Sequence, residues 1–431
     1  MITDLSQPGM RSTAEVQRRM SAARKWSVVA LLSLGMVVAN LDRLNLSIVL
    51  ALDEFRRAFG VTDLDRGLLN SSFFWVYALM QVPAGWLVDR LGVKYPYAIG
   101  FAFWCAVSAA TGMAHAIWQI VALRILLGIG EAVVQPSSLR WIRFHFEEKQ
   151  RGLPISLYLL GTKIGPAIGA PVCVMLIGAF NWRLMFVVLG LGGLIWLVFW
   201  LLLARDDDRG IGQSSAERAN TAPVTFARVL ASPAMWGILI GTFCYNYFWF
   251  FCLTWLPAYF VEQKNLSLSS MGTYTMISFV GQGLVLTAAG WLSDRLITLG
   301  WDPLKVRKRF IIAGMVLGCT EIIGVVSSSR SIAVFFAVFS LSALGIATAN
   351  KWALTQTLIP GAAIGRVVGL QNTAANLSGV AAPLITGWLK HRTGGYAAPM
   401  HAIWVILLIG IVSYIVLVRR EYAPAIHARP S

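Results

Sequence analysis

Four ionisable side chains sit inside otherwise apolar stretches: Asp42 and Arg43 within residues 26–50, and Arg124 and Glu131 within residues 117–139. A charge near the centre of a membrane-crossing helix costs at least about 2.5–3.5 kcal/mol on insertion scales. Two acids and two bases at that depth admit two readings. Fixed ion pairs would only hold helices together, and apolar residues often do that as well. Exchangeable pairs would bind an external anion at an arginine and a proton at the acid the arginine leaves. Keeping four such groups in one half of the chain favours exchange. Arg124 and Glu131 lie seven residues apart, on one helix face and separated by about 10 Å along the axis. Asp42 and Arg43 are adjacent, so they point about 100° apart. Across antiparallel helices Asp42 can pair with Arg124, leaving Arg43 to face Glu131 or an incoming anion.

Other polar groups in apolar runs could complete a pocket. Tyr77 and Gln81 share one helix face, as do Tyr245 and Trp249, and Asn372 and Asn376, while Gln282 lies between two glycines. For each of them an interhelical hydrogen bond competes with a ligand contact. Taken together, Tyr77, Gln282, Asn372 and Asn376 would suit hydroxyl recognition opposite an arginine. Lys163 falls midway along a glycine-rich run, where a lysine needs an anion or a water-filled cavity. A second contact to a substrate anion, favouring a diacid or a bulky acid, a carboxylate partner such as Glu131, and snorkelling to the interface are all open. Lys351 lies nearer a span end, so its ammonium is expected to snorkel to the interface.

These side chains need helices in a bilayer to position them. Of the 431 residues 57% are hydrophobic and only 13% charged, and the mean hydropathy is +0.66. A soluble surface needs roughly twice that share of charge. The net charge is +16, but the basic residues lie in short segments between apolar runs. That pattern marks membrane orientation rather than a nucleic-acid face. The five cysteines lie in apolar runs without CxxC spacing and the five histidines are scattered, so neither a metal centre nor a disulfide framework is expected. No nucleophile–base pair, P-loop or dinucleotide fingerprint points to an enzyme or to direct use of ATP.

Twelve apolar segments are predicted to span, at roughly 26–50, 68–90, 95–113, 117–139, 153–177, 182–204, 234–260, 271–294, 308–328, 332–357, 366–389 and 398–418. The polar stretch 205–233 divides them into a six-helix bundle over 26–204 and another over 234–418, flanked by tails 1–25 and 419–431. The leading tail lacks a cleavable signal pattern, so the first span is expected to remain. Lys and Arg concentrate in that tail, in the even-numbered loops around Arg90 and Lys94, around Arg140 to Arg151, and around Arg295 to Arg309. Both termini are therefore expected to be cytoplasmic, in a cell inner membrane. The opposite loops are less basic, although 52–67 is mixed in charge and Lys390-His391-Arg392 is a local exception.

The halves repeat: Gly85-Trp86-Leu87-Val88-Asp89-Arg90-Leu91-Gly92 ends span two, and Gly290-Trp291-Leu292-Ser293-Asp294-Arg295-Leu296 ends span eight. An in-register repeat implies two similar bundles about an axis along the membrane normal, with a midplane site open alternately to either side. Asp89, Arg90, Asp294 and Arg295 are then gating candidates where the bundles meet, with helix capping and loop orientation as the plainer alternative.

The run from Gly85 to Lys94 resembles the loop signature of the major facilitator superfamily, and Gly161-Thr162-Lys163-Ile164-Gly165-Pro166-Ala167-Ile168-Gly169 resembles its fifth helix. Three further stretches are similar to the anion:cation symporter branch: Asn40-Leu41-Asp42-Arg43-Leu44-Asn45-Leu46-Ser47, Arg124 through Gly130-Glu131, and Trp255-Leu256-Pro257-Ala258-Tyr259. That branch includes sialin, vesicular glutamate transporters and bacterial sugar-acid carriers. The resemblance implies an all-α fold of two pseudo-symmetric six-helix bundles and proton-coupled symport of an organic anion such as an aldonate, hexuronate or aldarate. Its coupling ion would be the proton, without other cofactor, and one chain would suffice. It also implies Arg43 as anion clamp and Asp42 and Glu131 as proton sites; the antiparallel spacing places Arg124 as the partner of Asp42. Anion exchange is the alternative, and a non-transporting membrane sensor a more distant one.

Overall fold

A computed structural model describes residues 20–146, 150–205, 230–358 and 364–422. Much of the expected leading tail, of the 205–233 linker and of the trailing tail lies outside the described residues.

The described residues fold into helices without strands, and twelve of these helices are long. They are α1 (Ala22–Val49), α2 (Asp63–Leu91), α3 (Lys94–Thr111), α4 (Ile117–His145), α5 (Gly152–Ala179), α6 (Trp182–Leu203), α7 (Pro233–Thr254), α8 (Leu268–Thr298), α9 (Pro303–Val326), α10 (Arg330–Leu358), α11 (Ile364–Thr393) and α12 (Ala397–Val416). At 1.5 Å per residue, a 28-residue helix such as α1 is about 42 Å long, enough to cross a bilayer with some tilt. Nine of the twelve are long and apolar enough to span by length and composition. The other three are α2, α3 and α11. Of these, α2 and α11 turn Asn70, Ser71, Ser72, Gln371, Asn376 and Ser378 into the protein interior.

The sequence marks where helices begin. Thr62 and Asp65 form a reciprocal cap at α2: the Asp65 main-chain N–H donates to Thr62 Oγ1 (3.2 Å), and the Thr62 N–H donates to Asp65 Oδ2 (2.9 Å). The predicted start at 68 was late because this cap lies in charged sequence. Asn181 and Asp302 accept the capping bonds of α6 and α9, both at 2.9 Å. The bond from the Lys305 main-chain N–H holds the Asp302 carboxyl below the usual carboxylate range. Helix α7 is extended by Leu256–Ala258 and a wide turn over Tyr259–Gln263. Proline at 257 cannot donate a backbone bond, which resets the ladder there.

Packing repeats in the two halves. α1 lies on α5 as α7 lies on α11; α2 lies on α4 as α8 lies on α10; α3 lies on α6 as α9 lies on α12. The halves meet chiefly where α2 packs on α11 and α5 on α8. Small residues set these seams. A Cβ on Gly165 would stand 2.6 Å from the Val37 carbonyl of α1, and one on Gly67 2.8 Å from the Pro383 carbonyl of α11. Large apolar side chains such as Leu79, Val82, Ile99, Leu202, Leu284 and Val326 face outward, an apolar surface suited to lipid rather than water. The protein is an all-α, twelve-helix membrane protein of two six-helix bundles.

Candidate functional site

The site starts on α1 and α4. Arg43 Nε donates to Glu131 Oε2 at 2.8 Å, forming a buried ion pair between the two helices. The guanidinium is flanked by two α2 rings, with its Cζ 5.0 Å from the Phe73 centroid and 4.6 Å from Tyr77. Asp42, one residue earlier, faces away from Arg43. Its Oδ1 accepts from Asn45 Nδ2 (3.1 Å) and from Ser108 Oγ on α3 (3.0 Å). Arg124 does not reach that carboxylate: its Nη1 donates to the Asp42 main-chain carbonyl at 3.1 Å. The expected Asp42–Arg124 pairing is thus a backbone contact, and it is Ser108 and Asn45 that hold Asp42 Oδ1.

Two features make α4 serve this arrangement. Gly128 lies between Arg124 and Glu131, and a Cβ there would stand 2.6 Å from the Phe73 carbonyl. Its bare backbone lets the charged face of α4 press onto α2. The helix then breaks after Glu131 and resumes at Val134. Of the four charged groups Arg43 is the most accessible, with its side chain 10% exposed and that of Glu131 0%. One oxygen of each acid, Asp42 Oδ2 and Glu131 Oε1, has no hydrogen-bond partner among the described residues. An anion arriving at Arg43 would compete with Glu131 for the guanidinium, and each acid has an oxygen free to take a proton.

The other sequence candidates scatter around the seam between the halves. Asn372 Nδ2 on α11 donates to Gln81 Oε1 on α2 at 3.3 Å, a bond from one bundle to the other. Asn376 turns back to the Asn372 carbonyl at 2.9 Å. Gln282 is fully buried, and neither amide atom has a partner among the described residues. The Lys163 ammonium lies 4.8 Å from the Trp249 ring centroid. Glu131 is not its partner, since that acid holds Arg43. Lys351 departs from expectation. It does not snorkel: it is 4% exposed, lies 3.8 Å from the Tyr245 ring and donates to Asn246 Oδ1 at 3.4 Å. Its helix face, with Thr348 and Thr355, turns inward to bond Tyr245 (2.5 Å) and Gln371 (2.9 Å). Gln371 passes the chain on to Thr242 at 3.0 Å.

The four gating candidates repeat one another. Asp89 pairs with Arg140 at 2.5 Å and Asp294 with Arg307 at 3.3 Å, each inside its own half. Arg90 lies over Trp86 at 4.5 Å and Arg295 over Trp291 at 5.4 Å. None of these contacts crosses between the bundles. At the opposite end the halves are pinned by ion pairs that sequence reasoning missed. Glu262 accepts from Arg66 (2.7 Å), Arg56 (3.0 Å), Lys390 (3.3 Å) and Tyr396 Oη (2.9 Å). Lys390 also bonds Asp63 at 2.6 Å. The signal was the mixed charge of 52–67 together with the basic exception at 390–392, on loops expected to be weakly basic.

Known proteins are similar to this chain in sequence and in fold. The chain is 29% identical over 406 residues to a probable L-galactonate transporter of Escherichia coli (strain K12), covering 91% of this chain and 89% of the relative. It is 29% identical over 381 residues to a hexuronate transporter of Bacillus subtilis (strain 168), covering 86% and 90%. A bacterial homolog of the human lysosomal transporter Spinster, solved inward-facing and unoccupied, superposes with a TM-score of 0.79 at 18% identity, covering 93% and 98%. The profile of the Major Facilitator Superfamily matches residues 32–383. The chain therefore belongs to the Major Facilitator Superfamily, a family of transporters rather than enzymes.

Proposed function

We propose that the protein imports an organic anion, a sugar acid such as an aldonate, hexuronate or aldarate, by proton symport through alternating access. One observation carries this reading: the most accessible guanidinium of the buried quartet holds a carboxylate that a cargo carboxylate can replace. When cargo takes Arg43, Glu131 loses its counter-charge inside the membrane and accepts a proton; Asp42 is the second proton site. Cargo and proton then favour each other's binding reciprocally. Tyr77, Gln282, Asn372 and Asn376 would read hydroxyls, and Lys163 the far end of the cargo. Relatives named for galactonate and hexuronate support the substrate class. We place the chain in the cell's inner membrane with both termini cytoplasmic, on the basis of its Lys and Arg distribution, and as a monomer because this architecture needs only one chain. Its partners would be the anion, protons and lipid, with no further cofactor and no nucleic acid.

In that orientation the Glu262 cluster closes the outer side, while the ion pairs of Asp89 and Asp294 with Arg140 and Arg307 each stay within one half. Asp89, Arg90, Asp294 and Arg295 would meet when the carrier turns outward. The test is uptake of galactonate into proteoliposomes under an acid-outside gradient. The wild type should accumulate it, and Arg43→Gln should lower uptake at least about thirtyfold, as expected for truncating a buried charge partner. Net uptake insensitive to both pH and uncouplers would reject symport and leave anion exchange. Accumulation unaffected by Arg43→Gln would reject the site.

A further inference from the structure

Two buried lysines have no acid to balance them. Lys163 on α5 is 8% exposed and Lys351 on α10 is 4% exposed. Neither lies within ion-pair distance of a carboxylate among the described residues; Lys163 has only the Trp249 ring, and Lys351 the Tyr245 and Trp352 rings and the neutral Asn246 side chain. Tyr245 and Trp249 are four residues apart on α7 and share a face. The two ammonium groups therefore sit over successive turns of one helix, about 6 Å apart along its axis. The quartet of Asp42, Arg43, Arg124 and Glu131 matches two acids to two bases, so the lysines are two further buried bases without an acid partner among the described residues. Uncompensated buried charges are retained where they meet a counter-ion.

The neighbouring polar atoms are also unoccupied. Trp249 Nε1 and both amide atoms of Gln282 lack partners among the described residues, and a Cβ on Gly283, next to Gln282, would stand 3.8 Å from the Lys163 side chain. The location relative to Arg43 is fixed by the α1–α5 seam. Gly161 packs on Ser33 and Met36, and Gly165 on Val37 and Asn40, which sets Lys163 level with Met36 and Val37. Arg43 lies six or seven residues further along α1, about 10 Å away along the axis. One cargo molecule can bridge that gap if it carries an anionic group at each end.

We infer that Lys163 and Lys351, with Trp249 Nε1 and the Gln282 amide, form a second anion subsite, so that the preferred cargo is a dianion of aldarate type rather than a monoanionic aldonate. This rests on the reading of Arg43 as the first anion site. The experiment compares galactarate with galactonate, which share a carbon skeleton, in proteoliposome uptake at one pH. Wild-type protein should show an apparent KM for galactarate at least about tenfold below that for galactonate, the scale of one charge-assisted contact. Lys163→Gln should bring that ratio to within about twofold of unity, whereas Lys163→Arg should keep the preference. Should Lys163→Gln fail to fold, wild-type protein alone decides. Monomethyl galactarate, which keeps the skeleton and loses one charge, should then compete about tenfold less well than galactarate. Equal KM values in the wild type, or a ratio unmoved by both Lys163→Gln and Lys351→Gln, would overturn the second subsite while leaving Arg43 in place. Uptake of both acids unaffected by Arg43→Gln would instead bring down the first-site reading, and this one with it.

Discussion

Glu131 and Asp42 are both buried acids, but their partners differ, and so should their effects. Glu131 holds the Arg43 guanidinium, whereas Asp42 is held by Ser108 and Asn45. Glu131→Gln should remove the competitor for Arg43. A hydrogen bond to a charged group contributes about 1.5–3 kcal/mol, so galactonate should bind roughly tenfold to a hundredfold more tightly, while net uptake is lost and exchange persists. Asp42→Asn should also abolish net uptake with exchange retained, but without that gain in affinity. Calorimetric binding beside counterflow separates the two; a Glu131→Gln variant that binds no tighter would sink the competition scheme. The facing of Arg43 and Glu131 was legible because adjacent and seven-apart spacings constrain which helix faces can meet. The fate of Lys351 was not, because distance from a span end does not say which way a helix is rotated. Asp42 likewise turned on Ser108, a small hydroxyl on a third helix that no spacing rule connects to it.

Helices bring these groups together through glycine seams, and that of α4 against α2 directly serves the site. At Gly128 an added Cβ meets the Phe73 carbonyl at 2.6 Å and the Tyr77 backbone nitrogen at 3.2 Å, both backbone atoms that cannot swing aside. Gly128→Ala should cost about 1–3 kcal/mol by overpacking. It should also weaken galactonate affinity, because Phe73 and Tyr77 flank Arg43. Gly178→Ala, where nothing lies within 4 Å, should stay within about 0.5 kcal/mol of wild type. Thermal unfolding in detergent compares them; equal melting temperatures would show that α4 can move off α2 freely. At this scale the sequence was a good guide, since a run of about twenty apolar residues has few fates other than a span. It misjudged the start of α2, where charged capping residues are helical without being apolar. It also could not place the break after Glu131, although Pro136, at the start of the resumed helix, cannot donate to the Ala132 carbonyl.

The two bundles can rock only if one end opens as the other closes, and the described contacts identify which end is fastened. Glu262, on the turn after α7, accepts from Arg56 and Arg66 of the first half and from Lys390 and Tyr396 of its own. Asp63 of the first half reaches across to Lys390. Gly67 and Gly387 let α2 and α11 touch backbone to backbone beneath this cluster. Arg66 is almost fully buried and stacks over Trp255 at 4.6 Å, so its charge depends on Glu262 and Asp63. Glu262→Gln leaves both arginines and Lys390 short of one counter-charge while keeping the side chain's shape. Glu262 is itself slightly exposed, so screening trims the effect to about 1–3 kcal/mol against the closed end, a five- to 150-fold population shift. Spin labels at the exposed positions Glu54 and Ala397, one on each half at that end, report it as a distance distribution moved to longer values. Asp89→Asn, which breaks a pair confined to one half, should leave that distribution in place. Labels that stay close in Glu262→Gln would mean that the glycine seam of α2 and α11, rather than the charges above it, keeps the end shut.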